Sequence, residues 1–204
     1  MSQLNNATHK IAWPEFKTRK HDAAPAPGTL VPGAFTLPMI STSGFGVESV
    51  AGAKPPKYKV KDTIVVSVAL DAASWVQDFV FTLPQPKQDE LLNHEQGHFS
   101  LGALLARDFY YDLLKLRQKE YANQLQATAD YDGLRNARNK AFPAIIKKYD
   151  DDTQHGTVAS QQTRWDGFVR SATNTPRVPP EKAQDGTTLT IRLVDLLKQS
   201  GIPI

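Results

Sequence analysis

The stretch 91–98 reads LLNHEQGH and contains the pattern His-Glu-x-x-His at His94, Glu95 and His98. Residues four apart lie one turn above each other on the same face of an α-helix, so both imidazoles can bind one metal ion. A hydrolytic zinc site usually has three protein ligands and an open fourth position for water. The pattern therefore predicts a zinc site on a helix, with His94 and His98 as two ligands and Glu95 as the general base.

The sequence around this motif favours a helix. No proline falls between Lys87 and Pro143, and apolar residues recur at approximately helical spacing. The apolar residues nearest to the motif are Leu91, Leu92, Phe99, Leu101, Leu104 and Leu105. We predict one long helix over about 87–126, a second over 134–149 and a third over 158–172.

A β-pattern precedes the helices. The run YKVKDTIVVSVALD begins at Tyr58, alternates at first and then becomes a continuous branched apolar stretch, which is typical of a buried strand. Ser74 to Val76 are predicted to form a turn, and 79–83 a second strand that ends before Pro84. The fold class predicted is α+β, zincin-like, with a small, mostly antiparallel sheet packed on the long motif helix and a second helix.

Composition divides the chain into three parts. Residues 1–57 are rich in Pro, Gly, Ser and Thr, and we predict an irregular N-terminal segment that is part of the domain or covers it. Residues 58–172 are predicted to form the zincin-like metal-binding catalytic domain. Residues 173–204 begin with a proline cluster and are predicted to be a C-terminal extension, in which a strand runs into a short helix.

The overall composition excludes several classes of protein. The 204 residues include no cysteine, so His, Asp and Glu are the only strong protein ligands for zinc. The net charge is only +3 and the basic residues are scattered, so nucleic acid is not predicted as a partner. No apolar run is long enough to span a membrane, and the start lacks the apolar core of a signal peptide. We therefore expect a cytoplasmic chain or a mature form whose leader has been removed.

The third metal ligand has several candidates. His155 is our choice, because His9 and His21 lie in the irregular start and His155 lies in a polar, helix-breaking loop that can bend toward the motif. Asp150 and Asp152 are alternatives, since carboxylate oxygen is also a zinc ligand. Glu120 is a weaker one, because an unbroken helix would place it about 33 Å from His98.

Several motifs together resemble a bacterial family of uncharacterised proteins predicted to be secreted zinc-dependent proteases of the HExxH, zincin-like kind. They are WPEF at 13–16, ASW at 73–75, LLNHEQGHFSL at 91–101, AR at 106–107, YDDDTQHG at 149–156, Gln161 or Gln162, and Trp165. The resemblance implies His94 and His98 as ligands and Glu95 as base. It implies that Tyr149, Asp150, Thr153 and His155 complete the site, and it implies a secreted or periplasmic location.

These observations predict a zinc metallopeptidase that hydrolyses peptide or protein substrates. Zinc bound by His94, His98 and His155 would polarise the peptide carbonyl, while Glu95 moves the proton and Tyr149 hydrogen-bonds the developing oxyanion. The alternative is a zinc-binding structural or interaction domain without catalysis. A helical interaction protein without metal is a third interpretation of the Leu-rich helix.

Overall fold

The computed structural model describes residues 2–20, 33–174 and 192–202. Within these ranges the fold is α+β, as predicted, with four α-helices and three small sheets. The helices are α1 (Gln85–Leu116), α2 (Gln124–Thr153), α3 (Ala159–Asn174) and α4 (Leu193–Gln199). Helix α1 carries the His-Glu-x-x-His motif and contacts α2, α3, α4 and the sheets, so it is the central element.

Eight short strands lie in the described part of the chain. They are β1 (Gln3–Asn5), β2 (Lys17–Arg19), β3 (Ala34–Phe35), β4 (Pro38–Ser43), β5 (Val47–Ser49), β6 (Tyr58–Val60), β7 (Val65–Leu70) and β8 (Trp75–Gln77). Strand β7 pairs in parallel with β1 and antiparallel with β4, and β8 pairs in parallel with β2 and antiparallel with β3. Strands β5 and β6 form an antiparallel pair. Instead of the predicted single, mostly antiparallel sheet there are three small sheets, two of them mixed.

The segment 1–57 is less irregular than its composition predicts. Its described residues supply β1 to β5, and each of these strands pairs with a strand that begins after residue 57. The predicted boundary at residue 57 therefore separates strands that pair with each other in all three sheets. The proline-rich stretch 23–28, on which the prediction of irregular structure partly rests, lies outside the described residues.

The β-pattern of 58–83 is divided among more elements than predicted. Strands β6 and β7 belong to different sheets, so the apparent long strand is two strands. The predicted turn at Ser74 to Val76 largely becomes β8, and the predicted strand over 79–83 is a 3-10 helix at Asp78–Thr82. Periodicity does not separate these cases, because a short apolar run fits a strand or a helical turn equally well.

The boundary between the first two helices was predicted in the wrong place. Helix α1 ends at Leu116, and α2 begins after Asn123, whose side-chain oxygen accepts the Gln126 N–H as an N-terminal cap. Helix α2 then continues without a break through Gly133 and Pro143. Packing of α2 against α1 thus outweighs the cost of a proline inside a helix.

Two apolar clusters lie on opposite sides of α1. One joins α1 to the sheets and includes Val66, Val68 and Phe99. The other joins α1 to the remaining helices and includes Leu101 and Trp165. The predictions of a helix near 158–172 and of a short C-terminal helix are confirmed by α3 and α4, whereas the strand predicted just before α4 lies outside the described residues.

None of the helices in the described ranges combines the length and the apolar character needed to cross a membrane.

Candidate metal centre

The two histidines of the motif lie together inside the protein. His94 and His98 are one turn apart on α1 and only 2% and 7% exposed. Their Nε2 atoms are 3.1 Å apart, and the rings meet edge to face with centroids 4.7 Å apart. Helix α1 therefore brings both imidazoles to one point, as the four-residue spacing predicts.

Asp150 supplies a third potential ligand atom at the same point. It lies near the C-terminal end of α2, and its Oδ1 atom is 3.2 Å from His94 Nε2 and 3.0 Å from His98 Nε2. Oδ1 is buried and has no hydrogen bond of acceptable geometry to any described residue. The three atoms thus form a nearly equilateral triangle, and one of them, Asp150 Oδ1, is buried without a hydrogen-bond partner among the described residues, which is the arrangement expected of metal ligands.

The electrostatics of Asp150 favour its charged form. Burial alone raises the pKa of Asp150, but contact with the imidazoles of His94 and His98 outweighs burial and holds the pKa well below its ordinary value. A positive charge beside Asp150 therefore favours its ionised form, which is the form that binds a metal ion.

His155 lies at the rim of this cluster. Its side chain is 68% exposed, and its Nδ1 atom is 3.6 Å from Asp150 Oδ1. His94, Asp150 and His155 offer ligand atoms that all lie within 4.8 Å of one another, so this group could hold a metal ion. The structure thus brings His155 near the site, but Asp150 is closer to the two motif histidines than the predicted ligand.

An unusual backbone places His155 there. Gln154, His155 and Gly156 follow α2 with φ angles of 45°, 54° and 83°, all in the left-handed region. That conformation is uncommon for residues other than glycine, and it ends the helix abruptly. Gly156 also allows the backbone to approach His94 closely, because it has no side chain. A Cβ at this position would lie about 3.0 Å from the His94 Cβ.

The other carboxylates considered as third ligands lie elsewhere. Asp152 bonds to Lys148 Nζ at 2.5 Å and accepts the Trp165 Nε1–H at 3.1 Å. Glu120 follows the end of α1 and forms an exposed ion pair with Lys57. Neither carboxylate is part of the cluster around His94.

Tyr149 packs behind the two histidines. Its ring stacks on His94 with centroids 4.8 Å apart and meets His98 edge to face at 5.0 Å. The side chain is fully buried; its hydroxyl donates to the His94 carbonyl at 3.1 Å and accepts from Gln162 Nε2 at 2.8 Å. Burial raises the pKa of this hydroxyl well above its ordinary value. These bonds place the hydroxyl behind His94, and the predicted hydrogen bond to an oxyanion stays a prediction.

Glu95 is also buried, at 3% exposure. Its Oε2 atom has no hydrogen-bond partner among the residues that the structure describes. A buried carboxylate oxygen without a partner is costly, so such an atom is expected where water, substrate or an ion completes its bonding.

Gln162 and Asp166 extend the site onto α3. Gln162 Oε1 lies 3.2 Å from His94 Nδ1, and Gln162 Nε2 donates to Asp166 Oδ1 at 2.8 Å. Asp166 also accepts from Asn93 Nδ2 at 2.9 Å. Sequence reasoning named Gln162 only through the resemblance and did not name Asp166. The four-residue spacing of Gln162 and Asp166 on a predicted helix was the one available signal.

A cavity of about 360 Å³ adjoins this network. It lies between the N-terminal segment and helices α1 and α3, and Asn93, Gln96 and Asp166 are among its lining residues. His94, His98 and Asp150 do not line it. The cavity therefore reaches the outer end of the hydrogen-bond network rather than the ligand cluster.

Comparison with known proteins adds no relative: no protein-family model, no curated protein and no solved structure matches this chain.

Proposed function

We propose that this chain is a zinc-dependent peptidase whose metal is bound by His94 Nε2, His98 Nε2 and Asp150 Oδ1. The observation that carries the proposal is the triangle of these atoms, with sides of 3.0, 3.1 and 3.2 Å. A tetrahedral zinc ion about 2.1 Å from its ligands separates them by about 3.4 Å. The three atoms are thus already close to the spacing that zinc requires, and two imidazoles with one carboxylate are typical ligands of hydrolytic zinc.

The motif residues supply the rest of the chemistry. Zinc lowers the pKa of a coordinated water to about 7 and polarises a peptide carbonyl. Glu95 is next to the first ligand and has a buried oxygen without a partner within the described ranges. It would take the proton of the attacking water and pass it to the leaving amine. Tyr149 and Gln162 would hold His94 in place.

Two further features agree with a zincin-like site. The motif lies on a long central helix of an α+β fold, and the third ligand, a carboxylate, comes from a later helix. The motifs around His94 and Tyr149 resemble those of predicted secreted zinc proteases. We therefore propose a peptide or protein as the substrate class.

The test of this function is Glu95→Gln, with Glu90→Gln as the matched control. Glu90 lies on the same helix, is exposed and pairs with Lys87. Because Glu95 is proposed as base and not as ligand, Glu95→Gln should keep one zinc per chain and lower peptide turnover by at least about 100-fold. Elemental analysis and a peptide-library assay measure the two effects. Wild-type turnover in Glu95→Gln, or no cleavage by the zinc-loaded wild type, would remove the proposal.

A second candidate function is a zinc-binding domain without catalysis. It is favoured by His155, which lies close enough to His94 and Asp150 to act as a fourth ligand. Four protein ligands close a zinc site and leave no position for water. His155→Ala separates the two functions: zinc affinity should fall by less than about 10-fold in a peptidase with an open position, and by at least about 100-fold in a closed site.

A further inference from the structure

Asp166 on α3 controls which end of the Gln162 amide faces the metal centre. Its Oδ1 atom accepts from Gln162 Nε2 at 2.8 Å, and its Oδ2 atom accepts from Asn93 Nδ2 at 2.9 Å. An ionised carboxylate has no proton to donate, so an amide beside it must present its NH₂ group. Asp166 therefore fixes the orientation of the Gln162 side chain.

The orientation of Gln162 in turn determines which ring nitrogen of His94 carries the hydrogen. Both N–H groups of the amide are used, one by Asp166 and the other by the Tyr149 hydroxyl at 2.8 Å. The remaining atom, Oε1, lies 3.2 Å from His94 Nδ1. Since a carbonyl oxygen only accepts, His94 Nδ1 must carry the hydrogen. Reversing the amide would place Oε1 against Asp166 Oδ1 with no hydrogen between the two oxygens, and the Tyr149 hydroxyl would have to leave the His94 carbonyl to donate to Oε1.

We propose that Asp166 is a positioning residue that acts through Gln162 to keep the hydrogen of His94 on Nδ1. The Nε2 lone pair then faces His98 Nε2 and Asp150 Oδ1, where an ion would bind. The opposite tautomer would place a hydrogen in that space and a Nδ1 lone pair against Gln162 Oε1. The importance of this role for metal binding rests on the proposed function. The hydrogen bonds themselves do not depend on it.

The test is Asp166→Asn, a change that keeps the size of the side chain. An amide at position 166 can donate as well as accept, so Gln162 can turn over and donate to His94 Nδ1. We expect zinc affinity to fall about 10- to 100-fold. We also expect the His94 Nδ1–H signal to weaken in ring ¹⁵N–¹H spectra of metal-free protein at pH about 8.5, above the ordinary histidine range.

Asp132→Asn is the charge-matched control. Asp132 lies on α2, where it pairs with Arg135 on the surface. The substitution removes the same charge at a residue that does not contact Gln162. It should leave both the zinc affinity and the His94 signal unchanged. The five histidines of the chain keep the ring spectrum simple, and loss of one signal in His94→Ala assigns it.

The double variant Gln162→Glu with Asp166→Asn exchanges the acid and the amide. A carboxylate at position 162 accepts from His94 Nδ1 in either orientation, so the Nδ1–H signal and the zinc affinity should return to within about 3-fold of wild type. A purely structural role of Asp166 would not produce this recovery. Wild-type behaviour of Asp166→Asn, or a double variant no better than the single one, would overturn the inference.

The two proposals can fail separately. If wild type binds no zinc but its His94 signal weakens in Asp166→Asn and returns in the double variant, the positioning role stands and the peptidase proposal falls. If wild type binds zinc and cleaves peptides while Asp166→Asn is unchanged in both measurements, the positioning role alone falls.

Discussion

His98 Nε2 lies 3.0 Å from Asp150 Oδ1, although one residue is on α1 and the other is near the end of α2. This contact converts a local pair of histidines into a three-atom cluster. The ring of Tyr149, the residue before Asp150, packs against both histidines and fixes the approach of the two helices. The site is thus a product of helix packing and of the motif together.

Asp150→Asn tests the third ligand. A neutral amide oxygen replaces the ionised oxygen that lies near both imidazoles, so we expect zinc affinity to fall by at least about 100-fold. Asp152→Asn is the matched control, because Asp152 bonds to Lys148 and Trp165 instead. Chelator competition measures the affinities. Equal affinities for the two variants would exclude Asp150 as a ligand.

Tyr149→Phe distinguishes support of His94 from oxyanion stabilisation. The substitution removes the hydroxyl bonds to the His94 carbonyl and Gln162 Nε2. Because these partners are buried, the free energy of unfolding should fall by about 1–3 kcal/mol. Turnover of the zinc-loaded variant should stay within about 10-fold of wild type. Loss of an oxyanion donor would instead lower kcat by about 100- to 1000-fold, and that result would restore the catalytic role.

Gly97→Ala tests the close contact behind the motif. A Cβ at Gly97 would overlap the fully buried Tyr149 hydroxyl, so we expect a loss of about 1–3 kcal/mol in the free energy of unfolding. Gly133→Ala is the control, since a Cβ there meets nothing within 4 Å and Gly133 lies inside α2. That variant should gain up to about 1 kcal/mol from helix propensity. In urea unfolding of zinc-free protein, the two variants should change the free energy of unfolding in opposite directions. Changes in the same direction would contradict the contact.

Tyr121 predicts a dependence of stability on alkaline pH. Burial, followed by the charge of Asp130, raises the pKa of Tyr121 from 10.0 to about 12. The folded protein thus prefers the neutral phenol, and this stabilisation is complete below pH 10 and is lost as the pH rises through about 12. Tyr121→Phe lacks the titrating group, so its unfolding free energy should fall less between pH 10 and 12. Denaturant unfolding at several pH values measures both proteins. An equal fall in the free energy of unfolding of wild type and variant between pH 10 and 12 would rule out this contribution.

The pairing of His94 and His98 could be predicted because it depends on helical geometry alone. The α+β class and the helix near α3 followed from periodicities that span many residues. The three-residue strands could not be predicted in this way, since β2 and β8 exist only through pairing with distant segments. The start of α2 depends on the cap at Asn123, a local signal that apolar periodicity does not contain.

The sequence alone determined that two histidines share a helix face and that a glutamate directly follows the first, because the four-residue spacing acts within one turn. It also excluded thiolate ligands. The tertiary structure decided which residue joins the two histidines, because α2 continues through Pro143 and brings Asp150 to α1 while His155 lies beyond the helix end. Helix α3 likewise brings Gln162 to His94. Contacts between distant helices depend on packing of the whole core, and no local pattern encodes them.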